Sequence, residues 1–271
     1  MKRLVLLAMV GVGVLIIQGA HASLLFSEAF NYTTPGYLGG NVNPGSGDTW
    51  GPGNHAMTIA DGNLTYPGLT DLGGNELSVV WGGGAGSNTN GFATVTSGSI
   101  YYSFLLNVTT APSANSYLTS LNPGTSTPSG SADAISMYFG TATGGFRFGL
   151  RGGGAPTVYT PSASPYTVGN TYLVVLGYDF GAANNNMSLW VNPTPGGSMP
   201  AATLTLTPTT LATAIDNVGF KVQGTPTGAF LIDNLMIGTT WEDVTPTPEP
   251  STIALGALGA LGLVLARRLR R

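Results

Sequence analysis

Only one histidine, His55, lies beyond the first two dozen residues, and the chain has no cysteine. A Ser-His-Asp triad would have to be built on His55. Its neighbours Gly51-Pro52-Gly53-Asn54 contain no strained nucleophile turn, so His55 reads as a surface-loop residue. A His/Cys zinc site lacks ligands altogether. Paired-carboxylate chemistry on one strand needs acids at alternate positions, because alternate side chains share a face. Apart from the adjacent Glu242-Asp243, the nearest acids are Asp71 and Glu76, too far apart for that arrangement. Acids from separate strands can still meet in space, which leaves a dispersed pair open. Asp61-Gly62-Asn63, Asp179 and Asn184-Asn185-Asn186 offer hard oxygen donors suited to Ca2+, although Asp and Asn serve turns equally well. For sugar binding, Trp50 beside Asp48 and a glycine-rich loop is the aromatic best placed for the surface. Trp190, alternating with Leu189, and Trp241 read as core. The run Gly82-Gly83-Gly84-Ala85-Gly86 lacks the lysine and following helix of a phosphate loop and reads as a flexible connection.

The elements that must position these residues read as strands. Candidate windows are 24–30, 76–81, 99–108, 134–139, 146–150, 171–180, 187–192, 202–207, 214–222 and 229–237, separated by Gly, Asn, Pro and Ser turns. Phe146, Phe148 and Leu150 alternate with Arg147, Gly149 and Arg151, one face in and one face out. The segment Ile100 to Val108 is too apolar for a strand with one wet face. No window of a dozen residues has a helical period, and Trp241 to Val244 suggests one helical turn. So many strands and so little helix predict an all-β, antiparallel two-sheet sandwich.

Both ends read as address labels. Met1-Lys2-Arg3, the apolar run to Ile17 and Ala20-His21-Ala22 before Ser23 form a signal peptide with cleavage after Ala22, giving a label over residues 1–22. At the other end, Pro248-Glu249-Pro250-Ser251-Thr252 precedes an apolar run from Ile253 to Ala266 and a basic stop of Arg267, Arg268, Arg270 and Arg271. Fourteen residues rise about 21 Å as a helix, short of a hydrocarbon core of about 30 Å, so this segment makes a transient membrane handle rather than a lasting anchor. The arginines would stay cytoplasmic, leaving the body outside. Between the labels the body, residues 23–247, holds three bases, Arg147, Arg151 and Lys221. Against them stand eleven acids, the twelve of the whole chain less Glu249, for a formal charge of −8. That balance excludes nucleic acid and anionic lipid, both of which need clustered Lys and Arg.

The C-terminal segment 246–271, with its Pro-Glu-Pro, its Leu/Gly/Ala run and its arginine end, resembles the PEP-CTERM sorting signal of exported bacterial proteins. That resemblance implies processing by an exosortase-type enzyme and a place at the cell surface or in the matrix of a Gram-negative-type bacterium, where such proteins accompany exopolysaccharide and biofilm production. The body, residues 23–245, resembles exported laminin G-like, concanavalin-type sandwiches. The likeness lies in Tyr102-Ser103-Phe104-Leu105-Leu106, Tyr178-Asp179-Phe180, Leu189-Trp190-Val191-Asn192-Pro193 and above all the closing run from Ile232 to Val244, where Asp233 reads as a structural cap or bridge. It implies a jelly roll that binds glycans or proteins, often with one calcium ion. The expectation is therefore a non-enzymatic, surface-sorted matrix component or glycan-binding module with polysaccharide or matrix proteins as partners. A carbohydrate-active enzyme with dispersed carboxylates is the alternative.

Overall fold

The computed structural model describes residues 24–51, 57–124, 127–184 and 186–248. Both address labels apart from residues 246–248, as well as Ser23, His55 and Asn185, lie outside these. The strands in chain order are β1 (Phe26–Glu28), β2 (Gly36–Tyr37), β3 (Met57–Ala60), β4 (Glu76–Trp81), β5 (Gly86–Val95), β6 (Ser99–Thr110), β7 (Ser116–Asn122) and β8 (Ile135–Ala142). They continue with β9 (Gly145–Arg151), β10 (Val158–Tyr159), β11 (Thr171–Asp179), β12 (Met187–Val191), β13 (Leu204–Leu206), β14 (Ile215–Val222) and β15 (Gly228–Gly238). One helical turn, α1 (Trp241–Val244), closes the fold behind a capping box made by Thr240 and Asp243.

These strands form two antiparallel sheets. One runs β13-β12-β11-β6-β15-β4-β3-β2 with β1 paired to β15, and the other runs β10-β9-β8-β7-β14-β5. Their inner faces share one core. Phe230 of the first sheet stacks on Phe139 of the second, centroids 4.7 Å apart at 9°, and Trp81 meets Phe230 at 4.6 Å. The Tyr102 hydroxyl crosses between the sheets to Thr119 at 2.9 Å. Each aromatic pair adds about 0.5–1.5 kcal/mol beyond the area it buries.

The apolar run in β6 has its explanation in a third layer. Tyr102, Phe104, Leu106 and Val108 point into the shared core. Leu105, on the other side, joins Leu173, Val175, Trp190, Met236, Trp241 and Val244 under α1 and the 61–75 loop. A strand covered on both faces reads as a continuous apolar run.

Buried carboxylates pin the connections. Glu28, 2% exposed, accepts hydrogen bonds from Phe30 N (2.7 Å), the Tyr32 hydroxyl (2.6 Å), Asn43 Nδ2 (2.8 Å) and Trp50 Nε1 (2.9 Å). Trp50 is thereby 1% exposed and packs on Phe26 and Phe220. This corrects the expectation of a surface platform, because the indole N–H is spent on Glu28 and the ring on the core.

Asp233 and Asn234 form a second clip, at a β-bulge where Asn234 takes a φ of 52°. The Asp233 carboxylate accepts from Leu64 N and Asn234 N, while Asn234 accepts from Leu72 N and donates to Thr70 O. Together they tie the 61–75 loop to the sheet, as the closing motif suggested.

Replacing Glu28 with Gln puts a donor where donors already converge, and is expected to cost about 1.5–3 kcal/mol in denaturant unfolding. Burial pushes Asp233 up to about 7, and Asp71 and Glu76 add to the push while the N–H groups of Leu64 and Asn234 resist it. A folded pKa above the unfolded value of about 3.9 means that the fold favours the neutral acid. This group's stabilisation is therefore complete below about 4 and is lost as pH rises through about 7. Thermal midpoints measured across that window should fall with pH, and Asp233→Asn should flatten the fall. A residual slope should remain from Glu76, which burial also pushes up.

Candidate functional site

The outer face of the six-stranded sheet gathers the polar chemistry. Core packing takes Phe146, Phe148 and Leu150 of β9 and Ile135, Met137 and Phe139 of β8 inward. Alternation then turns Arg147, Gly149, Arg151, Ser136, Tyr138 and Gly140 outward. The register sets Arg151 beside Ser136, Gly149 beside Tyr138, and Arg147 beside Gly140. Tyr159 of β10 lies over the two glycines, since a β-carbon would come within 2.6 Å of its ring at Gly149 and 2.9 Å at Gly140. Glycine is required at both positions because only it leaves room for the ring.

The guanidinium of Arg147 sits 4.8 Å from the Tyr159 ring centre, and that of Arg151 sits 5.8 Å from Tyr138. Tyr117 of β7 pairs with Tyr138 across the strands, rings 5.4 Å apart. Lys221 takes the outward position on β14 between the core residues Phe220 and Val222. Every positive side chain of residues 23–247 is thus on one face.

Among the described residues none of these three cations forms an ion pair. Arg147 Nε donates to the Thr141 carbonyl, and Arg151 Nε is sealed from solvent without a partner. Burial pushes the Tyr138 phenol up to about 12, although Arg151 pulls it down. Tyr117 is raised by burial and by Asp133, and Tyr159 by burial, which outweighs a hydrogen bond from Thr157 and the two arginines. All three phenols therefore keep their protons at neutral pH and are proton donors in the resting site.

The 127–133 loop folds back over part of this face. Pro128 rests on Gly219, where a β-carbon would lie 2.5 Å from its Cγ, and its carbonyl accepts the Tyr117 hydroxyl at 3.1 Å. Gly130 lies on the ring of Tyr117 and the hydroxyl of Tyr138. The loop is held by Asp133, 2% exposed, which accepts from Ser129 N, the Ser129 and Ser136 hydroxyls, and Gly130 N.

The residues singled out in the sequence fall elsewhere. Asp48 is exposed at the rim of a cavity of about 570 Å³ at the β5–β14 end of the same outer face, close to Trp50 in sequence but separated from it in role. Asp61 accepts the Thr34 hydroxyl at 2.5 Å, and Asn63 donates to Asp71. Asp179 caps Gly181 N at the end of β11. Four strand steps separate β3, which Asp61 follows, from β11, a distance of ~19 Å, so Asp61 and Asn63 share no cation site with Asp179. Among the described residues no cluster of three or more acid or histidine side chains is arranged to hold a metal. The Arg/Tyr/Lys face escaped sequence reasoning because its members come from five strands. The one available signal was the alternation of Arg147 and Arg151 with core aromatics.

One substitution tests this geometry. Asp133→Ala should release the loop at a cost of about 2–3 kcal/mol and raise the rate of tyrosine nitration, mapped by peptide mass spectrometry to Tyr117 and Tyr138. Nitration rates unchanged at both tyrosines would show that the loop does not depend on Asp133.

The last 26 residues, 246–271, match the family model described as a PEP-CTERM protein-sorting motif. No curated protein sequence is significantly similar to the chain. Among solved structures, the body is similar to an alginate lyase variant in complex with an alginate tetrasaccharide, with a TM-score of 0.53, 17% identity, and coverage of 79% of this chain and 96% of that one. A second variant of the same lyase with an alginate trisaccharide gives 0.54 and 15%, covering 80% and 98%. An endo-β-1,4-glucuronan lyase from the fungus Trichoderma reesei gives 0.46 and 14%, covering 83% and 99%. At these identities the first two likenesses are of fold. They overturn the expectation of a non-enzymatic body, because nearly the whole of an alginate lyase shares this fold. The sorting motif marks the chain for export, surface sorting and processing by an exosortase-type enzyme. Among the described residues no helix is long and apolar enough to cross a membrane. The chain carries a PEP-CTERM sorting motif at its C-terminus, and the body ahead of it is a β-sandwich similar in fold to an alginate lyase.

Proposed function

We propose that the body is an exported carbohydrate-active enzyme that cleaves an acidic, uronate-bearing polysaccharide by β-elimination on the outer face of the six-stranded sheet. The observation that carries this reading is the gathering of Arg147 and Arg151 beside Tyr159 and Tyr138, with Tyr117 against Tyr138 and Lys221 on the same face three strand steps from β9, none of the three cations in an ion pair among the described residues. In a chain whose body carries a charge of −8, three bare cations on one face have one evident use, which is to meet an anion.

Elimination from a uronate suits such a set. The C5 proton is acidified when its carboxylate is neutralised, the role proposed for the arginines. The C5 proton passes to the phenolate that one tyrosine becomes when it releases its proton to solvent beside a guanidinium; as the C5–H bond breaks, its electrons form a C4–C5 double bond and the C4–O bond breaks. The departing oxygen must gain a proton, and the buried, protonated phenols can supply one. No histidine or bound water nucleophile is needed, which agrees with the absence of cysteine and the scarcity of histidine. The similarity to an alginate lyase supports the reading at the level of fold. Sorting to the surface would bring the body to extracellular polysaccharide, and the C-terminal apolar run would hold it at the membrane only in passing.

The direct test is to incubate the purified body with polyuronates and follow the ultraviolet absorbance of the unsaturated ends. Accumulating product is expected, with Arg147→Ala and Arg151→Ala each at least about tenfold slower, the rate effect of roughly 1.4 kcal/mol. Activity should also fall with salt, since exposed charges are screened over about 8 Å at physiological ionic strength. No unsaturated product and no binding across several acidic polysaccharides would sink the proposal.

A further inference from the structure

We infer that the cavity at the β5–β14 end of this outer face is a second sugar site, which takes an uncharged, hydroxyl-bearing residue. The inference rests on the polysaccharide reading above and sharpens its substrate to a heteropolymer carrying both acidic and uncharged sugars. The cavity, about 570 Å³, is lined by Asp48, Thr49, Thr89, Asn90, Asp216 and Asn217 together with glycines, and Thr127 of the overlying loop closes one side. Among the described residues no basic or aromatic side chain lines it.

Its two most telling groups are unpaired. The Asp48 carboxylate makes no hydrogen bond or ion pair with any described residue. Its main chain is nevertheless fixed, the carbonyl accepting from Asn43 N at 2.9 Å and Asn90 Nδ2 at 3.1 Å. This holds the carboxylate over Gly91, where a β-carbon would lie 2.7 Å from Asp48 Oδ2. Beside Gly91 in the ladder is Asn217, 3% exposed, with an amide that has no partner and an Oδ1 sealed from solvent. An amide left unsatisfied at a buried position carries a standing cost, which a ligand group reaching its Nδ2 would recover.

The chemistry selects among ligands. Asp48 and Asp216 repel an anion, so a uronate carboxylate is excluded here. A cation would want six to eight oxygens. Asp216, however, already accepts from Gly124 N and the Thr94 hydroxyl, which leaves Asp48 as the single free carboxylate. A free carboxylate beside a free amide and threonine hydroxyls matches neighbouring sugar hydroxyls, which both donate and accept. The site lies three strand steps from β9, at ~14 Å across the sheet, a gap that a short oligosaccharide bridges.

The test compares binding of a homopolyuronate with that of a polysaccharide alternating uronate and uncharged sugar, by titration calorimetry, for the intact body, Asp48→Ala and Gly91→Leu. Asp48 is exposed and Gly91 lies in a strand with ordinary φ, so both variants should fold. The intact body should favour the alternating polymer about tenfold or more. Both variants should reduce that ratio to near one while leaving homopolyuronate binding unchanged. A ratio near one in the intact body, or one unmoved by both variants, overturns the second site and leaves the Arg/Tyr face standing. Tight calcium binding lost in Asp48→Ala would reassign the cavity to a cation. Failure of both polymers to bind would bring down the elimination reading and this one together.

Discussion

Alternation along β8 and β9 is the constraint on which the candidate site depends. Three core side chains on β9, Phe146, Phe148 and Leu150, are fully buried, each contributing about 1.5–3 kcal/mol. Arg147 and Arg151 stand four residues apart, ~13 Å, and repel each other in water by only ~0.3 kcal/mol. The core term wins by more than an order of magnitude. The sheet can therefore hold two bare cations in place without any acid to pair them, and a one-residue slip of register would cost the core before it cost the site. Gly140 and Gly149 complete the arrangement by giving Tyr159 a flat bed between the arginines.

A shortage of bases shapes the rest of the molecule. Glu28, Asp133 and Asp233 are all buried, and none is paired with Lys or Arg. Each is held instead by backbone N–H groups, hydroxyls, amides or an indole. Such donors keep a carboxylate in place at lower desolvation cost than a buried ion pair. The consequence reaches function. Because neutral donors serve the structural acids, the three cations remain available to the outer face.

Legibility in the sequence followed the strength of apolar patterning. The two-sheet sandwich was readable from β4, β6, β8, β9, β11, β12, β14 and β15, whose apolar runs or alternations are strong. β5 was not, because its inward positions include Asn88 and Asn90, buried with their amides donating to Gly51 O and Asp48 O. Buried amides in a Gly/Ser/Asn/Thr segment look like a loop until a partner strand is present. β7 was missed for a similar reason, as Ser116, Thr119, Ser120 and Asn122 are buried polar residues. Trp50 failed in the opposite sense, since its loop neighbours suggested exposure and Glu28, twenty-two residues earlier, pulled it in. The site itself was spread over β7, β8, β9, β10 and β14, and no local pattern joins Lys221 to Arg147.

Net charge alone describes such a face poorly, for a related reason. A body at −8 repels polyanions at long range, which argues against nucleic acid and anionic membranes. Screening confines that repulsion to about 8 Å at physiological ionic strength, while a ligand seated on the outer sheet meets cations at contact distance. Arg147, Arg151 and Lys221 are the whole positive side-chain charge of residues 23–247. An acidic polysaccharide would then be attracted at that face and discouraged elsewhere, and the local distribution of charge, set by strand alternation, decides which surface it meets.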